Sequence, residues 1–88
     1  MELNFSKVGN EWVAEFEATN HFNLHLERET IGSVVVCQRG SESGEYAVAF
    51  SKGGIKVLDQ DFGALVYPKY IRVASSGKVL KSKVTFAE

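Results

Sequence analysis

Period-two alternation decides the fold of this chain, and it is clearest in residues 11–18, whose sequence is EWVAEFEA. Successive side chains of a β-strand point to opposite faces, so alternate residues share a face. The residues of the apolar face are Trp12, Ala14, Phe16 and Ala18. Glutamates occupy most of the other face. One apolar and one polar face is typical of an antiparallel sheet with one solvated side, and the segment is predicted to be a strand.

The same alternation recurs along the chain, with turn-forming residues between the alternating segments. Apolar residues do not recur at the i, i+3, i+4 spacing over a length that would indicate an amphipathic helix. The predicted strands cover about 2–8, 11–18, 21–28, 31–38, 45–51, 55–60, 65–73 and 79–87. Seven or eight short strands predict an all-β, antiparallel β-sandwich of immunoglobulin-like or jelly-roll-like type. Residues 1–88 are predicted to form one domain, because the chain is long enough for one core only.

Two sites along the chain interrupt the strand pattern. Lys52-Gly53-Gly54 is typical of a two-residue hairpin turn, since glycine accepts the positive φ that such turns need. Pro68 falls inside the pattern of residues 65–73. Proline cannot donate a backbone hydrogen bond, so that segment is expected to be an edge strand, a bulge or two pieces split at Pro68.

Composition excludes several classes of protein. Hydrophobic residues make up 44% of the chain, which argues against disorder. The net charge of −1 gives no overall attraction to nucleic acid or to an anionic membrane. The longest apolar run, residues 34–37, is far shorter than a membrane span of about 20 residues. The N-terminus lacks a signal-peptide pattern and Cys37 is the only cysteine, so secretion is not expected.

Charge is divided unevenly between the two halves of the chain. Residues 1–45 hold eight acidic and three basic residues, a net charge of −5. Residues 46–88 hold seven basic and three acidic residues, a net charge of +4. Acidic and basic strands would then either pair within one domain or meet between copies in an assembly.

Candidate chemical groups do not form a motif for catalysis, a cofactor or a metal. His21 and His25 share a face of one predicted strand, where about 13 Å separates them, too far for joint ligation. Asp59 and Asp61 would suit a calcium loop only with further oxygen ligands, and aspartates are common in turns. Cys37 lies in the most apolar strand and is predicted to be a buried structural residue. An enzyme is not expected.

Two surfaces are better candidates for binding. Tyr67 and Tyr70 flank Pro68 and would form a stacking platform for a carbohydrate or other ligand if exposed. Nucleic acid is disfavoured there, because Lys69 and Arg72 are the only basic residues close by. The second surface is the loop of residues 40–44, with Ser41, Glu42 and Ser43 at its centre.

Residues 12–18 and 22–28, together with residues 59–62, 65–69 and 71–75, resemble small β-sandwich proteins encoded by tailed phages and prophages of gut bacteria. The resemblance implies a virion component: a head decoration or auxiliary capsid subunit, a head fibre, or a tail accessory module. It brings no catalytic residues and no cofactor.

We therefore expect a non-catalytic structural or interaction protein, found in the virion or in the host cytoplasm during assembly. Its expected partners are proteins, either further copies of itself or a larger viral lattice. The expected interface residues are Ser41, Glu42, Ser43, Tyr67, Pro68, Lys69 and Tyr70. The alternative is a carbohydrate- or ligand-binding adhesion module that uses Tyr67 and Tyr70.

Overall fold

The computed structural model describes residues 1–63 and 68–87, and within them the secondary structure is entirely β. The strands are β1 (Ser6–Val8), β2 (Glu11–Ala18), β3 (Phe22–Arg39), β4 (Ala47–Phe62), β5 (Lys69–Ser75) and β6 (Val79–Phe86). All five strand pairings are antiparallel. The prediction of an all-β, antiparallel fold is confirmed. In these described ranges, no helix is long and apolar enough to cross a membrane.

The long strand β3 is the centre of one connected sheet. It pairs with β4 along nearly its whole length. On its other side, its C-terminal half pairs with β5 and its N-terminal half pairs with β6. Strand β2 continues the sheet beyond β5, and β1 lies beyond β2.

The sheet folds back on itself, so that its two halves share one core. Phe50 and Phe62 both lie on β4, and a straight strand would hold them about 40 Å apart at roughly 3.3 Å per residue. Their ring centroids are in fact 5.5 Å apart. Strand β4 therefore bends sharply between them, and β3 bends with it.

Residues 1–63 and 68–87 form six strands, so the predicted count of seven or eight is wrong for this part of the chain, and the predicted hairpin at Lys52-Gly53-Gly54 is also wrong. The chain passes through residues 52–54 within β4, and β3 likewise joins two strands that were predicted to be separate. Gly54 has a φ of 69°, which glycine adopts without strain. Shifts in register lie on both sides of Gly32, which pairs with Ile55. Gly32 and Gly54 therefore let β3 and β4 bend at neighbouring positions of the ladder, and both strands continue beyond the bend.

We call this region the bend, and it comprises residues 28–33 of β3, 53–55 of β4 and 76–78 between β5 and β6. Arg28 is 1% exposed there. Its Nη1 donates to the Ser33 carbonyl at 2.9 Å and to Ser75 Oγ at 3.3 Å. Its Nη2 donates to the carbonyls of Gly32, at 2.8 Å, and Ile55. The guanidinium therefore joins β3, β4 and β5 where the sheet turns.

Of the three alternatives for residues 65–73, the edge strand is wrong for the described part, and residues 65–67 lie outside the described residues. Strand β5 begins at Lys69, directly after Pro68, and it is paired on both sides, by β2 and by β3. In the described part of the chain, the long strand with one unpaired side is β4. The corresponding side of β6 is covered at Val84, which is joined to Met1 by two hydrogen bonds of 2.8 and 2.7 Å.

The inward side chains form one hydrophobic cluster that both halves of the sheet share. Its buried members are Leu3, Ala14, Ala18, Phe22, Leu24, Leu26, Val34, Val36, Leu58, Phe62, Ile71, Val73 and Val84. Acidic and basic halves of the sequence meet on the outward faces, where Glu15 is opposite Arg72 and Glu27 is opposite Lys81. The fold thus provides pairing of the two charged halves within the chain.

Candidate functional site

The predicted interface residues that the structure describes lie at one end of the sheet. Ser41, Glu42 and Ser43 are exposed in the loop between β3 and β4. Pro68 is exposed just before β5, and Lys69 and Tyr70, the first two residues of β5, are half-buried. Tyr67 lies outside the described residues.

The fold brings two of these predicted residues, Glu42 and Tyr70, into one groove. We call it the loop groove, and its volume is about 430 Å³. The residues that line it are Glu15, Phe16, Glu17, Arg39, Glu42, Tyr46 and Tyr70. Ser41, Ser43, Pro68 and Lys69 do not line it.

Strand register positions the floor of the loop groove. Tyr70 is opposite Glu17 of β2 on one side and opposite Arg39 of β3 on the other. These three outward side chains therefore form a row across β2, β5 and β3. Tyr46 comes from the end of the 40–46 loop, directly before β4.

Arg39 holds the aromatic rings and the loop together. Its guanidinium carbon lies 4.3 Å from the centroid of the Tyr46 ring and 5.9 Å from that of the Tyr70 ring, distances at which a cation is attracted to the face of a ring. Its Nη1 also donates to the Gly44 carbonyl at 3.2 Å. Gly44 in turn donates its backbone N–H to the Ser41 carbonyl at 3.2 Å. The loop is thus tied to the sheet through Arg39.

The pKa of both phenol groups of the loop groove is raised above its ordinary value. Burial raises the pKa of Tyr46, and the neighbouring charge of Glu15 raises it further. Burial also raises the pKa of Tyr70, assisted by Glu17 and Glu42. The groove therefore presents two neutral hydroxyls and three glutamates around one arginine. Such a surface suits non-covalent recognition by stacking, hydrogen bonding and charge.

Sequence reasoning missed four polar residues of this groove: Glu15, Glu17, Arg39 and Tyr46. Arg39 directly precedes the loop of residues 40–46 and Tyr46 ends it, and those positions were an available signal. The approach of Glu15 and Glu17 depends on the pairing of β2 with β5. Strand order is not readable from alternation alone.

A second polar cluster covers the outer face of the other half of the sheet. Asn23 Nδ2 donates to Asp59 Oδ1 at 2.7 Å and to Asp61 Oδ1 at 2.9 Å. His25 Nδ1 lies 3.1 Å from Asp59 Oδ2. The sequence suggested His25 and the two aspartates separately, and the β3–β4 register unites them. His21 lies outside this row, exposed just before β3.

The remaining candidate groups are placed as follows. Cys37 is half-buried in β3, opposite Arg72 of β5 and Val48 of β4. Within residues 1–63 and 68–87, no group of three or more histidine, cysteine, aspartate or glutamate side chains is arranged to hold a metal ion.

Comparisons with known proteins identify no relative of this chain. No protein-family model, no curated protein and no solved structure matches the chain. The resemblance to phage virion proteins therefore stays a prediction.

Proposed function

We propose that this chain is a non-catalytic interaction protein that joins a larger protein assembly through the loop groove. In the setting that the sequence resemblance implies, the assembly is the head or tail of a tailed phage. The chain would then be a decoration, auxiliary or accessory subunit.

The observation that carries this proposal is the composition of the loop groove. Tyrosine and arginine are the residue types that, with tryptophan, supply most of the binding energy at protein interfaces. Tyr46, Tyr70 and Arg39 occur there together, half-buried and held in place by stacking. Side chains that are already ordered lose little conformational entropy on binding.

Charge indicates the chemistry of the partner surface. Glu15, Glu17 and Glu42 line the groove with Arg39 as the positive residue among its described lining. A partner segment with lysine or arginine side chains complements this rim. Rim charges act mainly on the association rate and on its salt dependence.

The test is co-sedimentation of the purified chain with purified heads and tails of the tailed phage induced from cells in which the coding sequence has been deleted, so that the sites for this chain on the particles are unoccupied. We expect saturable binding that weakens as salt concentration rises. Glu17→Lys and Glu42→Lys, which change exposed residues of the groove, should each weaken binding about tenfold, or about 1.4 kcal/mol, because each places a positive charge opposite a basic partner.

Glu11→Lys is the matched control, since Glu11 is exposed on β2 but does not line the groove. It makes the same charge change and should leave binding unaltered. Absence of binding to both heads and tails, or equal loss in all three variants, would show that the loop groove does not make this contact.

A further inference from the structure

His25 lies on the outer face of β3 between two carboxylates of different strands. Its Nδ1 is 3.1 Å from Asp59 Oδ2 on β4, the residue opposite it in the register. Its Nε2 is 3.0 Å from Glu27 Oε2 on β3. The ring thus bridges the central strand and the strand with an unpaired side.

Both contacts require a proton on each ring nitrogen. An ionised carboxylate only accepts hydrogen bonds, and a neutral imidazole has a single N–H to donate. The hydrogen bonds with Glu27 and then Asp59 raise the pKa of His25. The pKa of Glu27 is lowered mainly by His25, and that of Asp59 mainly by Asn23 and then His25, so the shared protons reside on the ring.

We infer that His25 is a pH-operated clasp that ties the C-terminal half of β4 to β3 through Asp59 while its ring is protonated, and that the neutral ring keeps its one N–H for Glu27 and releases the Asp59 carboxylate. This device is independent of the loop groove. Failure of one proposal therefore leaves the other intact.

The charges around the ring come from all three strands of this half. Glu27 is on the same strand, Asp59 and Asp61 are on β4, and Lys81 and Lys83 are on β6. Lys83 is opposite the histidine in the register, and Lys81 Nζ lies 3.9 Å from Glu27 Oε2. With the ring protonated, three positive groups face three carboxylates. Loss of the proton leaves an excess negative charge beside β4.

The direction of the pH effect follows from the raised pKa of His25. The clasp is fully formed below the ordinary histidine pKa of 6.5 and is lost as the pH rises through the higher value of the folded chain. Asn23 keeps its bonds to Asp59 and Asp61 throughout, so β4 loosens without separating. When the ring loses its proton, we expect backbone amide exchange in residues 57–62 to become about two- to five-fold faster, beyond the intrinsic pH dependence of exchange. This is the size of effect that loss of one exposed ion pair produces.

The experiment is a pH titration of the ring nitrogens of His25 by ¹⁵N NMR, with amide exchange measured in parallel. Below pH 6.5 both nitrogens should resonate as N–H, and the pKa of His25 should exceed 6.5. Asp59→Asn and Glu27→Gln should each lower that pKa. His25→Gln should remove the additional pH dependence of exchange in residues 57–62.

Asp61→Asn is the matched control, because it removes a carboxylate from the same strand that does not contact the ring. It should preserve the two N–H signals and lower the pKa of His25 less than Asp59→Asn does. The clasp is refuted if His25 titrates at or below 6.5, or if Asp59→Asn and Asp61→Asn shift its pKa equally.

Discussion

Arg28 shows how one residue holds the bend. It is an almost fully buried cation, and it donates to three backbone carbonyls and one hydroxyl. Burial lowers the pKa of its guanidinium, which reflects the cost of removing a charge from water. The planar, five-donor fork of arginine suits carbonyls that come from several directions.

Replacement of Arg28 should therefore destabilise the fold. Arg28→Met should lower the free energy of unfolding by about 2 kcal/mol or more, because the part-buried carbonyls of Gly32 and Ile55 lose the Arg28 donor, and a polar group left unpaired away from water costs about 1–3 kcal/mol. Arg28→Lys should have an intermediate effect, since one ammonium cannot reproduce the fork. Urea unfolding measures both values.

Lys83→Met, at an exposed position of β6, is the surface control and should change stability by no more than about 0.5 kcal/mol. An Arg28→Met chain as stable as this control would mean that the guanidinium does not hold the bend.

Residue placement was predictable where alternation was unbroken. Phe22, Leu24 and Leu26 are inward as the period-two pattern requires, and the same pattern places Arg28 beside them. Its partners were not predictable, because Ile55 and Ser75 are distant in sequence and meet it only once the sheet folds. For the same reason Tyr70 and Glu42 were identified separately, whereas their common groove was not.

At the scale of elements, the error at residues 52–54 has a clear physical origin. Two adjacent glycines permit either a hairpin or a bend, and local sequence does not distinguish these outcomes. The difference comes from the neighbouring strand, where Gly32 of β3 pairs with Ile55, next to Gly54. A side chain at residue 32 would not fit, because its Cβ would lie 2.3 Å from Ser76 Oγ. Both strands can therefore bend together and continue.

The two glycines of β4 should respond differently to alanine. Gly54→Ala should reduce the free energy of unfolding by about 1–2 kcal/mol, because a side chain is strained at positive φ, here 69°. Gly53→Ala should be neutral or stabilising by up to about 1 kcal/mol, since its backbone lacks a positive φ and a Cβ would meet nothing within 4 Å. Thermal or urea unfolding of the pair provides the comparison. Equal effects of the two substitutions would contradict the role assigned to Gly54.

Strand β4 also limits its own tendency to pair with other strands. Its register with β3 shifts between Val36 and Cys37, which leaves Ala49 as an extra residue on β4. Bulges and charged residues are common protections of unpaired strand edges. Asp59 and Asp61 supply the charges on the second half of the strand.

At the scale of the whole molecule, the shared core predicts a single cooperative transition. Leu24 and Leu26 from one half pack in the same cluster as Val36 and Ile71 from the other, so neither half keeps its core alone. Trp12 fluorescence reports on β2, and His25 NMR signals report on the opposite half of the sheet. The two probes should give the same urea midpoint at one pH. Two distinct midpoints would show that the halves unfold independently.

The central position of β3 also constrains the order of events during synthesis of the chain. Its pairing partners include Phe86 for Phe22 and Ser75 for Val34, residues that the ribosome adds long after β3 itself. Closing such long loops is entropically costly, and all-β chains dominated by distant pairings fold in milliseconds to seconds. The N-terminal half of β3 must therefore wait, with one side unpaired, until β6 has emerged from the exit tunnel.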